Sequence, residues 1–361
     1  MINRTLNDKT QKAIMPILKD TEMLFLSAIR KESGSEGNVS ITAMPDLGLA
    51  NNAIRMSGGF YTGMFLSWKS SIPIIPVDAT INSCGVSVFL LNNDISAADF
   101  KSSILNEKHK IKELGYNWNF ERGNHFISLC KLDNGGSCIV MHASADEYKS
   151  CIIENALYPV DGVWYYDKIK MITDPTNKGR YLRYVVGSVA ERFASIATSL
   201  ESVNHKRMND VANLLFGKYI DKEISYISHY GMPDNESIAI GCSWNPKLSI
   251  LLTAPGKDFY IVVPKLECES SKWLTPHGLG VSANIDEINY RDDGLYINGL
   301  NIKNLKDVES ISDRSIRGNK IDDNEYQKYI KSVINLSDAR IVEKLHPVAA
   351  LCKNGFEIYN D

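Results

Sequence analysis

The strongest constraint on the fold lies between residues 85 and 142. The run Gly85-Val86-Ser87-Val88-Phe89-Leu90-Leu91 is short and mostly apolar, which predicts a mostly buried strand. Two more such runs, 124–131 and 137–142, flank the turn sequence Asp133-Asn134-Gly135-Gly136, a β-hairpin signature. A hairpin demands antiparallel neighbours, so the chain must contain antiparallel sheet. Helical spacing is found elsewhere. Ile14, Ile17, Leu18, Leu24 and Ala28 share one side of a predicted helix over 10–31, closed by a polar stretch at 33–38. Leu182, Val185, Val186, Val189, Phe193, Ile196 and Leu200 predict a helical region over 180–216. Asp322-Asp323-Asn324 caps another helix, which carries Tyr326, Tyr329, Ile330, Val333 and Ile334. Strands and turns are predicted over 39–91, with short strands at 248–254, 259–264 and 348–351. The expected fold is mixed α/β, of the α+β kind, with sheets flanked by helices. Without a repeat, low-complexity tract or linker, residues 1–361 are expected to form a single domain.

Composition narrows the partners. The net charge of −3 gives no global basic signature, so any nucleic-acid contact must be local. Candidate patches are 101–112, His205-Lys206-Arg207, and Arg314 with Arg317 and Lys320. No apolar run approaches the ~20 residues of a membrane span. Seven scattered cysteines, an odd number, do not read as a disulfide framework. The expectation is a cytoplasmic protein with no membrane association.

Chemistry concentrates around histidine. Thr275-Pro276-His277-Gly278-Leu279-Gly280 places an imidazole, a competent covalent nucleophile, beside backbone that phosphate groups can approach. His125, His142 and His229 lie in or at the ends of predicted strands, and Cys84 lies at the entry to one. Side chains at strand ends can converge, and three imidazoles with a thiolate suit a divalent transition metal. Ligand chemistry alone favours zinc. The other cysteines, Cys130, Cys138, Cys151, Cys242, Cys268 and Cys352, read as small apolar residues. His109, His205 and His346 have no supporting context.

In collinear order these segments resemble the RtcB family of RNA-splicing ligases across nearly the whole chain. Met44-Pro45-Asp46-Leu47-Gly48 is similar to the family's Met-Pro-Asp-x-His-x-Gly. Ile81-Asn82-Ser83-Cys84-Gly85-Val86 resembles Asp-x-x-Cys-Gly-Val. Gly123-Asn124-His125-Phe126 matches Gly-Asn-His-Phe, and Met141-His142-Ala143-Ser144 resembles Val-His-Ser-Gly. Ser228-His229-Tyr230 falls where the family has His-Asn. Pro255-Gly256 looks like the start of a Pro-Gly-Ser-Met-Gly loop, and His277-Gly278-Leu279-Gly280 resembles His-Gly-Ala-Gly. The tail to Lys353 is similar to the family's closing helix and strand.

The resemblance implies an RtcB-like ligase that joins an RNA 3′-phosphate or 2′,3′-cyclic phosphate to a 5′-hydroxyl, with GTP as co-substrate and two Mn²⁺ ions. It implies that His277 forms a covalent histidine–GMP intermediate. Cys84, His125, His142 and His229 become metal ligands, with the cysteine shared by both ions. Asn124, Gly278, Gly280 and Lys353 become nucleotide contacts. Several positions depart from the pattern. Ile81 stands where the family has a metal-binding Asp, and Asp78 is the nearby substitute. Leu47 replaces a His, Ser128 replaces the Glu that reads guanine, and Val281 replaces an Arg. The family's basic His-Arg-Lys-Gly-Ala segment is replaced by Gly241-Cys242-Ser243-Trp244-Asn245. Two alternatives follow from these changes. One is a metal-dependent phosphoesterase or nucleotidyltransferase that does not ligate; the other is a non-catalytic RNA- or nucleotide-binding paralogue.

Overall fold

The computed structural model describes residues 1–145, 155–265 and 273–359. Cys151 and Cys268 lie outside the described residues. Six α-helices are present among them: α1 (Lys9–Ser33), α2 (Ala53–Ser57), α3 (Ala97–Glu107), α4 (Ser188–Phe216), α5 (Leu305–Glu309) and α6 (Asp323–Leu336). None is long and apolar enough to cross a membrane. The architecture is the expected mixture of sheets and helices.

The largest sheet runs in the spatial order Ile220–Ser228, Gly85–Leu91, Ser137–Ala143, Phe126–Leu132, Ala339–Cys352, Phe259–Pro264, Ser249–Leu251. An eighth strand, Gly355–Ile358, pairs with Ala339–Cys352. The hairpin at its centre forms with Gly135 at φ 86, a value glycine adopts without strain. Strand periodicity then sorts the side chains. Ile139, Met141 and Ala143 join the core beneath α3 and α4, together with Phe100, Met208 and Phe216. Cys138 and Val140 join the core on the opposite face, with Val86, Val88 and Leu345. His142 continues that second row, so a core-facing strand position delivers a polar ring to the strand's end.

A second sheet orders Ile2–Asn3, Asn38–Gly48, Thr62–Lys69, Ser237–Ile240 and Tyr230–Asp234. It packs with α1 in the largest core cluster, where Ile14, Leu18, Phe25, Leu47, Leu66 and Trp68 meet. The ends of α1 are set locally. Asp8 and Gln11 make a reciprocal capping box, and Gly34 ends the helix at φ 64.

Two expectations are corrected. Residues 181–186 are not helical: Tyr181–Val186 is a strand between Ile74–Pro76 and Lys170–Thr173. The 182/185/186 spacing imitates a helix, but β-branched and aromatic residues favour the pleated surface. Gly187, at φ 62, then separates this strand from α4. The 39–91 stretch is also interrupted, because Asn52 caps the short α2 by accepting the Arg55 N–H.

A buried cysteine–histidine cluster beside a cation-lined cavity

The polar centre forms where four distant segments meet. Cys84 immediately precedes the strand Gly85–Leu91, on a loop held by the Asn82 side chain, which accepts the Cys84 N–H. Asn204 of α4 donates to the carbonyls of Ser83 and Ala143, pinning the same loop. His142 is in the central hairpin. His229 sits between the strands Ile220–Ser228 and Tyr230–Asp234, with its N–H on the Cys84 carbonyl at 3.0 Å. Its own carbonyl accepts Gly241 N–H at 2.7 Å, so one backbone segment ties the cysteine loop to the 241 region.

The donor atoms of Cys84, His142 and His229 all lie within 4.8 Å of one another, and all three residues are buried. Cys84 Sγ is 3.0 Å from His142 Nε2, which is 3.2 Å from His229 Nε2. A tetrahedral ion with thiolate and imidazole bonds holds its donors about 3.3–3.6 Å apart, so this spacing is near that of a formed site. The tautomers agree. His142 Nδ1–H donates to Asn124 O at 2.9 Å and His125 Nδ1–H to Asn119 O at 3.0 Å, which leaves each Nε2 lone pair for a ligand. Burial pushes His229 well below the ordinary histidine value, and the rings of His277, His142 and His125 push the same way, so it is neutral and able to coordinate. The residues therefore fit a divalent ion at Cys84, His142 and His229.

His125 lies beside the same thiol, with Nε2 3.9 Å from Cys84 Sγ and 3.3 Å from Ser144 Oγ, and its ring meets that of His142 edge-on. Among the described residues, His125 is not part of the Cys84/His142/His229 donor group. Asp78, expected as a carboxylate ligand, is corrected here. It is fully buried and committed to Arg183, with contacts of 2.6 Å to Nη2 and 2.9 Å to Nε, and it also accepts the Arg183 backbone N–H. Ile81, the position aligned with the family's Asp, is core.

His277 follows the strand Leu274–Pro276, and its ring centroid is 5.0 Å from that of His229. Its Nδ1 faces two acceptors, Asp46 Oδ2 at 2.6 Å and Gly241 O at 2.8 Å. Nδ1 must therefore carry the proton, and in the neutral ring Nε2 holds the lone pair. Asp46 is fully buried and its Oδ1 has no hydrogen-bond partner among the described residues. Its role was missed in the sequence, although Met-Pro-Asp contained it; 231 residues separate it from His277.

Asn124, His125, His142, His277, Gly278, Gly280 and Lys353 all line one cavity of about 420 Å³. Phe126 and Phe259, stacked with centroids 5.3 Å apart, and Pro347 supply apolar wall. Lys353 and Arg314 are its cations, and no Asp or Glu is among the described lining residues. Two glycines of the loop have packing reasons as well. A Cβ on Gly278 would lie 2.8 Å from Leu252 O, and one on Gly280, at φ +70, would lie 2.0 Å from Asp46 O. Their absence of side chains lets the histidine loop seat against Asp46.

Two of the three basic patches are partly paired or buried. Lys108 and Lys110 pair with Glu121 and Glu107. His205 meets Glu223 at 2.7 Å, Lys206 pairs with Asp210, and Arg207 is buried against Asn117 and Asn119. Leu47 is core, Ser128 Oγ donates to Ala349 O, and Cys242–Trp244 is a strand paired with Leu274–Pro276. No protein-family model matches this sequence, and no curated protein matches it significantly.

Proposed function

We propose that this chain is a divergent RtcB-type enzyme that nucleotidylates itself on His277 and ligates RNA. The observation that carries the reading is the buried Asp46–His277 pair beside the Cys84/His142/His229 group. A nucleophilic histidine needs a fixed tautomer, and Asp46 and Gly241 supply it. In the proposed step the Nε2 lone pair attacks the α-phosphorus of GTP. An N–P bond forms as the bond to the β-phosphate oxygen breaks, and pyrophosphate leaves. The ring retains its Nδ1 proton and becomes cationic, and the Asp46 carboxylate neutralises that charge. GMP then passes to an RNA 3′-phosphate, and a 5′-hydroxyl displaces it to join the strands.

A divalent ion, Mn²⁺ or Zn²⁺, held by Cys84, His142 and His229 supplies charge neutralisation for phosphoryl transfer when bound. Asn124 and Lys353 line the cavity that would receive the nucleotide. A thiolate ligand suits a reducing compartment, and cytoplasmic location is part of the proposal. The commitment of Asp78 to Arg183 favours a second reading, a single-ion nucleotidyltransferase or phosphoesterase that does not ligate.

The test is incubation with Mn²⁺ and α-labelled GTP, with ATP in parallel, followed by denaturing electrophoresis. Labelled protein is expected, and His277→Ala should abolish it. Absence of label with both nucleotides in metal-loaded protein refutes the transferase reading. Label without joined RNA ends supports the second reading.

A further inference from the structure

Arg314 and Arg317 stand three residues apart and are used in opposite ways. Ser315 and Ile316 pair with Ser282 and Val281, the strand that leaves the histidine loop, and Arg317 N–H donates to Gly280 O at 3.1 Å. Arg317 is 5% exposed and wholly engaged behind that loop: its Nε meets Asp8, and its Nη groups donate to Leu47 O and Leu279 O. Arg314 instead lines the cavity with His277. It donates from Nη2 to the neutral Asn51 Oδ1. Its Nε is buried without a partner, and no ion pair engages it among the described residues. Burial pushes its guanidinium down, with the charge of Glu309 opposing.

A half-buried guanidinium with unsatisfied donors is costly unless an anion meets it. The cavity wall offers none. Its other described polar residues near Arg314 are Ser315, Asn319 and Asn51, and its second cation is Lys353.

We infer that Arg314 is the polyphosphate-binding residue of the cavity, receiving the β- and γ-phosphates of a nucleoside triphosphate whose α-phosphate faces His277. The identity of the ligand rests on the proposed nucleotidyl transfer; the anion site does not. A guanidinium fork matches a pyrophosphate group bidentately, and it meets the same group when it becomes the leaving group. Arg314, just before the Ser315–Ile316 strand, thus supplies positive charge to the cavity wall that also carries Val281.

The experiment is calorimetric titration of inorganic pyrophosphate into protein preloaded with Mn²⁺ and freed of unbound ion. Wild type is expected to bind, and Arg314→Gln to bind at least about tenfold more weakly at an unchanged thermal midpoint. Arg314→Lys, which keeps charge but loses the fork, should fall between them and serves if the Gln variant does not fold. Wild type that ignores millimolar pyrophosphate overturns the assignment, as do variants within twofold of wild type. Arg314-dependent binding without any nucleotide adduct leaves this site standing and removes the transferase reading. An adduct with Arg314-independent affinity does the reverse.

Discussion

Asp46→Asn is the substitution that tests the reasoning at the nucleophile. The carboxylate is fully buried and the His277 side chain is 10% exposed, so solvent screens their interaction little. Two unit charges about 4 Å apart at an effective dielectric of ~20 interact by ~4 kcal/mol. Asparagine keeps an acceptor oxygen, and the Gly241 carbonyl still holds Nδ1–H, so roughly half to three quarters of this is lost. That loss, about 2–3 kcal/mol, slows formation of the cationic adduct about 30- to 150-fold. Metal content should not change, because Asp46 is outside the Cys84/His142/His229 group. The assay is the single-turnover rate of labelling, beside elemental analysis. A second readout is independent of activity: nitrogen-detected NMR of the His277 ring should show the proton on Nδ1 in wild type. A wild-type ring protonated on Nε2, or a variant that labels within threefold of wild type, refutes the argument.

Further predictions follow from other parts of the molecule. Cys84→Ala removes the thiolate shared by the donor group and should weaken divalent-metal binding by at least about 100-fold, whereas His125→Ala should retain one tightly held ion. Stoichiometric metal in the dialysed Cys84 variant would contradict the ligand set. Arg183→Met leaves Asp78 buried without its partner and should cost about 3–5 kcal/mol in urea unfolding with metal content unaltered. A change under about 1 kcal/mol, or loss of metal, would contradict the commitment of Asp78 to Arg183 alone. His346 contacts Asp133 at 2.7 Å and Asp258 at 2.8 Å, and these carboxylates raise its pKa, Asp133 most, against an opposing burial effect. Its contribution to stability is therefore complete below the unfolded value of about 6.5 and is lost as pH rises through the higher folded value. His346→Gln should melt below wild type at about pH 5.5, and the gap should close by about pH 9. A gap that persists unchanged at high pH would refute the linkage.

Local chemistry determined much of this protein directly from sequence. The capping box at Asp8, the glycine stop at Gly34 and the glycine turn of the central hairpin act over a few residues, so their signals lie side by side in the chain. The apolar run 85–91 likewise marked a buried strand. The segments carrying Cys84, His125, His142, His229 and His277 were recognisable individually because each places a reactive side chain beside small residues or at a strand end. Tertiary structure decided which carboxylate serves which partner. Asp78 and Asp46 are both buried acids, and nothing in their neighbouring residues separates the one bound to Arg183 from the one that orients His277. Arg314 and Arg317 are three residues apart, yet one faces a cavity and the other Asp8. A charge is assigned its role by groups 105, 231 and 309 residues away, brought near by packing, and short-range sequence patterns do not encode that distance. The strand Tyr181–Val186 shows the same limit. Its apolar spacing suited a helix, and pairing with Ile74–Pro76 and Lys170–Thr173 made it a strand.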